Sequence, residues 1–409
     1  MRHARSVCES VSMCPTVTNG PHPEQGGSVG LVSTQYVELF DRANPLVLES
    51  GATLAPVEVA YETYGQLNAD RSNTVFICHA LTGDAHAAGH HGDPARPGWW
   101  DNFIGPGKPV DTDRFFVVCA NLLGGCMGTT GPSSVDPATG EPYGLRFPLF
   151  TVGDLVSVHR ALVRHLGIAR LRAAIGGSLG GMQVLHWAME YPDDLALAVI
   201  VCATSRLSAQ NIAFSAVARE AIMRDPNFHG GDYQRIGARP DAGLAVARMM
   251  AHITYLSEEG MRNKFGRRLQ NGTTPRFGFD VDFQVESYLH HQGEVFLRRF
   301  DANSYLYLTR AMDYFDPFGD LLHAGPHLER LETFFLVVSF DSDWRFDTSH
   351  SREIVHVLAA HRVPVSFREI ASPHGHDSFL LVVPDYHRTV ASFLHRPDDG
   401  PGRQTGGER

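Results

Sequence analysis

The chain has 409 residues, 43% of them hydrophobic and 20% charged, with a formal net charge of -10 at pH 7. That balance excludes a general nucleic-acid binder, and no Lys/Arg block contradicts it. The longest apolar runs, such as residues 195–203, are too short to span a bilayer and exclude a membrane-spanning helix.

In chain order, residues 1–30 are rich in Ser, Pro, Gly and polar groups and are expected to be disordered. They carry charges but no continuous apolar stretch, so no secretory signal is expected. Order is expected from Leu31. Val57–Tyr64 alternates at period two and reads as a strand. Residues 68–73 form a polar turn. Residues 74–83 read as a buried strand running into a loop, and residues 115–121 as another. Residues 152–166 have helical spacing. A strand at 171–177, a helix ending before Tyr191-Pro192 and a strand at 197–202 follow. Buried apolar strands alternating with helices imply an α/β fold with a mainly parallel sheet covered on both faces.

The rhythm changes after Ala203. Residues 205–316 are mostly helical in pattern, without a strong buried strand. Phe334–Phe340 and Val365–Ile370 restore the strands. The reading is one core, residues 31–204 and 317–396, interrupted by a helical lid at 205–316. A tail at 397–409 is expected to be disordered. No internal repeat is present.

The junction at 171–182 carries the chemistry. Gly176, Ser178 and Gly180 make G-x-S-x-G where an apolar strand meets a helix. A turn that sharp strains its middle residue and lifts the Ser178 oxygen above the sheet edge. It also aims the Leu179 N–H at charge developing on a substrate oxygen. A serine nucleophile needs a base, and the base an orienting acid. Asp341 and Asp343 follow the Phe334–Phe340 strand; His374 and His376 follow the Val365–Ile370 strand.

Other candidates carry less. The loop at 124–131 is glycine-rich, but no Gly-Lys-Ser/Thr closes it, so a nucleotide loop is not expected. It is read as lining an acyl pocket. Cys126 has no evident base to make it a second nucleophile. His79, His86, His90 and His91 form no H-E-x-x-H pattern and are read as satisfied or solvated; no metal site is expected. The six cysteines (Cys8, Cys14, Cys78, Cys119, Cys126 and Cys202) form no C-x-x-C pair and no disulfide-like ladder. Such usage favours a reducing cytoplasm.

Several stretches resemble one known family. They are Gly-Pro-Gly-Lys-Pro at 105–109, residues 121–134, residues 176–183, residues 207–214, residues 247–255, Ser-Asp-Trp-Arg-Phe at 342–346 and Pro-His-Gly-His-Asp at 373–377. Over nearly all of residues 31–394 the chain resembles the homoserine O-acyltransferases of the α/β-hydrolase fold. The resemblance implies Ser178 as nucleophile, Asp343 as acid and His376 as base. It implies Leu81 beside Leu179 in the oxyanion hole. It implies Arg248 for the homoserine carboxylate and Asp377 for its ammonium group. Their bland readings are a lid ion pair and a loop orienter.

The family divides by donor, acetyl-CoA or succinyl-CoA, and Ser-Asp-Trp-Arg-Phe is typical of its succinyl branch. A guanidinium at Arg345 can hold the succinyl carboxylate with two charge-assisted hydrogen bonds, where a methyl would leave buried donors unpaired. The competing reading of Arg345 is an ion pair to Asp347 or Glu353. The expectation is a cytoplasmic homoserine O-succinyltransferase of methionine biosynthesis. It would be a homodimer through its lids, with acyl-CoA as substrate and no cofactor, nucleic-acid or membrane partner. The alternatives are a homoserine O-acetyltransferase using acetyl-CoA and, more distantly, a serine esterase. A non-enzymatic binding protein is disfavoured by the complete Ser178/Asp343/His376 set.

Overall fold

The protein is described by a computed structural model covering residues 26–319, 325 and 327–396. The expected tail at 397–409 and residues 1–25 of the expected N-terminal tail lie outside the described residues. Residues 26–30 are tied down: the Gly27 N–H donates to the Pro106 carbonyl at 2.8 Å, and Gly30 accepts from the His90 N–H at 3.0 Å. Two backbone hydrogen bonds hold this polar segment against the loop that precedes the second buried strand.

The main sheet has eight strands: β1 (Gln35–Leu39), β2 (Val57–Tyr64), β3 (Thr74–Cys78), β4 (Phe116–Ala120), β5 (Leu171–Gly177), β6 (Leu195–Val201), β7 (Phe334–Phe340) and β8 (Val365–Ile370). Their spatial order is β1-β2-β4-β3-β5-β6-β7-β8. β1 and β2 are antiparallel, as are β2 and β4; all later neighbours are parallel. Side chains alternate between two cores. On β5, β6 and β7, Ala174, Ala198, Ile200, Phe335 and Val337 enter one core. Ala173, Ile175, Val199, Leu336 and Val338 enter the other. Burial on both faces explains why these strands are apolar throughout rather than alternating.

α1 (Val152–His165) and α2 (Leu179–Glu190) cover the first face with Leu155, Leu162, Met182 and Leu185. Thr151 starts α1 by exchanging hydrogen bonds with Asp154 in a capping box. Between β6 and β7 the chain leaves the sheet for α3 (Ala209–Met223), α4 (Asp241–Tyr255), α5 (Glu258–Lys264), α6 (Gln284–Leu297) and α7 (Ala302–Asp313). β6 and β7 still pair in parallel, Leu197 beside Phe334, so the excursion does not interrupt the sheet. α8 (Thr348–Ala360) joins β7 to β8. α9 (Pro384–Leu394) closes the second core with Tyr386, Val390 and Leu394. Among the described residues, no helix is long and apolar enough to cross a membrane.

Candidate active site

At the carboxyl end of β5 the backbone turns at Ser178 with φ 58° and ψ -125°. The glycines leave no choice of residue around it. A Cβ on Gly176 would fall on the Gly180 backbone, and one on Gly180 on the Cys78 carbonyl of β3, each well inside van der Waals contact. Close approach of strand, turn and helix therefore requires both positions to lack a side chain. Ser178 occupies the N-cap of α2 yet makes no capping hydrogen bond. Its hydroxyl is left for chemistry.

The candidate acid and base, Asp343 and His376, follow the neighbouring strands β7 and β8. His376 Nδ1 lies 2.7 Å from Asp343 Oδ2, both buried. The other Asp343 oxygen accepts from the N–H groups of Arg345 (2.9 Å) and Phe346 (3.0 Å), which fixes the carboxylate's direction. His376 Nε2 is buried and has no protein partner. Its ring is walled by Phe346 (5.2 Å), Tyr255 (5.9 Å) and Phe379 (5.9 Å). Asp341 does different work: it accepts from the Ser372 N–H at 2.9 Å. Ser342 donates to the Ser372 carbonyl and accepts from the Gly375 N–H. These bonds lock the loops after β7 and β8 together.

Leu81 lies in the loop after β3, and Leu179 is the first residue of α2. Among the described residues, neither N–H donates to a protein acceptor. Gln183, fully buried, donates to the carbonyls of His79 (3.1 Å) and Leu179 (3.2 Å) and so ties the loop after β3 to the start of α2.

Arginines reach this centre from α4, with Arg248, and from the turn after β7, with Arg345. Arg248 Nη1 lies 3.4 Å from Thr82 Oγ1, and its Nε is buried without an acceptor. Arg345 is buried and donates to Thr254 Oγ1 at 2.7 Å. Among the described residues, neither forms an ion pair. Asp347 instead meets His350 at 3.6 Å, and Glu353 meets Arg206 at 3.3 Å, so the competing reading of Arg345 fails. Asp377 is half-buried; burial pushes its carboxyl up to about 6, despite the nearby His376 and Arg248.

Three site residues were not singled out from sequence. The Tyr255 ring lies 5.4 Å from the Arg345 guanidinium, 5.8 Å from that of Arg248 and 5.9 Å from the His376 ring. Arg299 donates to the Thr82 carbonyl at 2.7 Å; burial and the Arg248 charge lower its pKa. Thr82 thus meets two arginines. Tyr255 could have been found, because seven residues after Arg248 is two helical turns and one face.

The remaining candidates have plain roles. Burial pushes the Cys126 thiol up to about 12, so it is protonated and a poor nucleophile at neutral pH. The 124–131 loop pairs with β2: the Glu58 and Ala60 N–H groups donate to Thr130 Oγ1 (2.8 Å) and Thr129 Oγ1 (3.0 Å). His86 (3.0 Å) and His91 (2.7 Å) converge on the buried Glu62, whose donor atoms would suit a metal ion. That carboxylate also accepts from Thr34 (2.9 Å) and Tyr64 (3.0 Å), so four donors already occupy it. Burial opposes its charge, but the bonds from His86, Thr34 and His91 outweigh it and lower its pKa.

A family profile for the α/β hydrolase fold matches residues 73–381. A homoserine O-succinyltransferase of Magnetococcus marinus is 58% identical over 382 residues, covering 92% of this chain and 97% of that protein. A homoserine O-acetyltransferase of Rhodospirillum rubrum is 54% identical, covering 86% of this chain and 90% of that one. The crystal structure of a homoserine O-acetyltransferase from Bacillus anthracis superposes with a TM-score of 0.83 at 29% identity, covering 90% and 99% of the two chains. That of esterase E22 superposes with a TM-score of 0.80 at 29% identity, covering 89% and 100%.

Proposed function

The chain belongs to the homoserine O-acyltransferases of the α/β-hydrolase fold, and on that footing we propose that it transfers succinyl from succinyl-CoA to L-homoserine. The observation that carries the donor assignment is Arg345. Its guanidinium is buried, has no carboxylate partner among the described residues, and grows from the turn that binds the catalytic acid. An unpaired buried cation is costly, and a substrate carboxylate relieves it.

His376 Nε2 takes the Ser178 proton as Oγ attacks the thioester carbonyl. Asp343 holds the opposite ring nitrogen and stabilises the imidazolium. The Leu81 and Leu179 N–H groups receive the oxyanion. The tetrahedral adduct collapses to the acyl-serine, and His376 returns the proton to the departing CoA sulfur. The homoserine hydroxyl then gives its proton to His376 and attacks the same carbonyl. Collapse releases O-succinylhomoserine, and His376 reprotonates Ser178. Arg248 takes the amino-acid carboxylate and Asp377 its ammonium group. Residues 205–316 act as a lid on a core of residues 31–204 and 317–396, keeping water from the acyl-serine. The reaction belongs in methionine biosynthesis. The cytoplasm is supported by the four described cysteines, all unpaired.

The test compares succinyl-CoA with acetyl-CoA under matched conditions, with and without homoserine. Succinyl-CoA is the better donor, and Ser178→Ala forms no acyl adduct by intact-protein mass spectrometry. Losing one partner of a desolvated charge pair costs about 2–5 kcal/mol. Arg345→Leu therefore loses roughly 30- to several-thousand-fold in kcat/KM for succinyl-CoA while keeping acetyl transfer. Preference of the wild type for acetyl-CoA would leave the O-acetyltransferase reading standing, which the Rhodospirillum relative favours. Hydrolysis unaffected by homoserine would make it an esterase.

A further inference from the structure

Acyl-CoA carries its phosphates far from its thioester, so a donor site needs a second, cationic end. α5 begins on the catalytic loops. Leu256 accepts from Trp344 Nε1 at 2.9 Å, and Ser257 donates to the Pro373 carbonyl. From there the chain runs outward into Arg262, Lys264, Arg267, Arg268 and Arg276. Lys264 Nζ lies 4.2 Å from the Tyr288 ring centroid, and Tyr288 OH is 3.3 Å from His252 Nδ1, so the strip begins beside the arginine-lined centre.

Two of these cations are committed: Arg262 to Glu258 at 2.9 Å and Arg276 to Asp282 at 3.4 Å. Glu286 is committed too, accepting the Asp282 and Phe283 N–H groups at the start of α6. Arg267 and Arg268 meet no carboxylate among the described residues. Arg267 lies over the Phe283 ring at 5.4 Å, and Arg268 Nε donates to Gln284 Oε1 at 3.1 Å. With Gly272 and Thr273 they line an open pocket of about 550 Å³. A second observation points the same way. Phe277 and Phe279, on the same loop, stand 92% and 111% exposed. Arg268 also donates to the Lys264 carbonyl, but neither guanidinium has a carboxylate partner among the described residues. Such cations, with bare aromatic side chains on the same loop, match a phosphate and a purine ring.

We infer that the pocket of Arg267 and Arg268, with the Phe277 and Phe279 faces, docks the phosphate-bearing adenosine end of the acyl donor. This rests on the acyl-CoA reading above.

The test uses the full chain and two donors: succinyl-CoA and its truncated analogue, succinyl-N-acetylcysteamine thioester, which lacks every phosphate. Ser178 acylation is followed by intact mass, and adenosine 3′,5′-bisphosphate binding by calorimetry. In the double variant Arg267→Ser/Arg268→Ser, kcat/KM for succinyl-CoA falls roughly tenfold or more. The truncated thioester acylates at an unchanged rate, and the bisphosphate binds correspondingly more weakly. Equal losses for both donors, or no loss for succinyl-CoA, would overturn the inference. Failure of the wild type to be acylated by either donor would instead remove the acyl-transfer reading beneath it.

Discussion

A serine that opens a helix normally spends its oxygen on the helix's own unpaired N–H groups. Ser178 does not, because φ 58° and ψ -125° turn its side chain elsewhere. Such strain costs on the order of 1–3 kcal/mol and persists only where the surroundings enforce it. Asp377 illustrates a second departure from ordinary behaviour. Its carboxyl titrates near 6, so it is ionised above that pH and gains a proton as the pH falls through it. If it holds the ammonium group, kcat/KM for homoserine falls as pH drops through about 6, and Asp377→Asn is weak at every pH without that limb. CoA release in the absence of homoserine stays nearly unchanged in the variant. An identical low-pH limb in Asp377→Asn would assign it to another group. The placement of Ser178, Asp343 and His376 after strands was legible because each of those strands is a recognisable apolar run. Thr82 and Arg299 were not. They meet only when helices remote in sequence fold back over the β3 loop, and no spacing marks that.

The elements around the nucleophile are packed to backbone distance. Gly180→Ala would press a methyl group into the Cys78 carbonyl. We expect a loss of about 3 kcal/mol or more, seen as a lower urea midpoint. Gly278 is the control, since an added methyl meets nothing there. Gly278→Ala stays within about 0.5 kcal/mol. A comparable loss at both positions would show that helix and loop propensities, not the elbow's close packing, set the cost. The central strands were legible as unbroken apolar runs because both their faces are buried. β1 was not: it is an edge strand with Tyr36 largely exposed, ordered by its antiparallel pairing to β2. The order β1-β2-β4-β3 was equally hidden, since local pattern does not say which neighbour a strand chooses.

At the scale of the whole molecule, the outer faces of α3 and α4 matter most. Ile212, Val217 and Met223 on α3, with Val246 and Ile253 on α4, are exposed apolar side chains on two helices packed together. Exposed apolar side chains on adjoining helices offer a surface for self-association. We expect a homodimer by sedimentation velocity and a monomer for Val217→Glu/Val246→Glu. An unaltered mass in that variant would place any dimer contact elsewhere.

The turn after β7 binds the Asp343 carboxylate, proposed as the catalytic acid, through the main-chain N–H groups of Arg345 and Phe346. Main-chain donors are indifferent to the side chain they carry, proline excepted. The residue proposed to choose the acyl donor can therefore be exchanged without disturbing the acid beside it. Arginine and leucine codons of the CGN and CUN boxes differ at a single base. A lineage could cross between succinyl and acetyl chemistry in one mutational step, tracking whichever thioester its metabolism supplies. The mingling of both activities among relatives this similar is what such a short evolutionary path would leave behind.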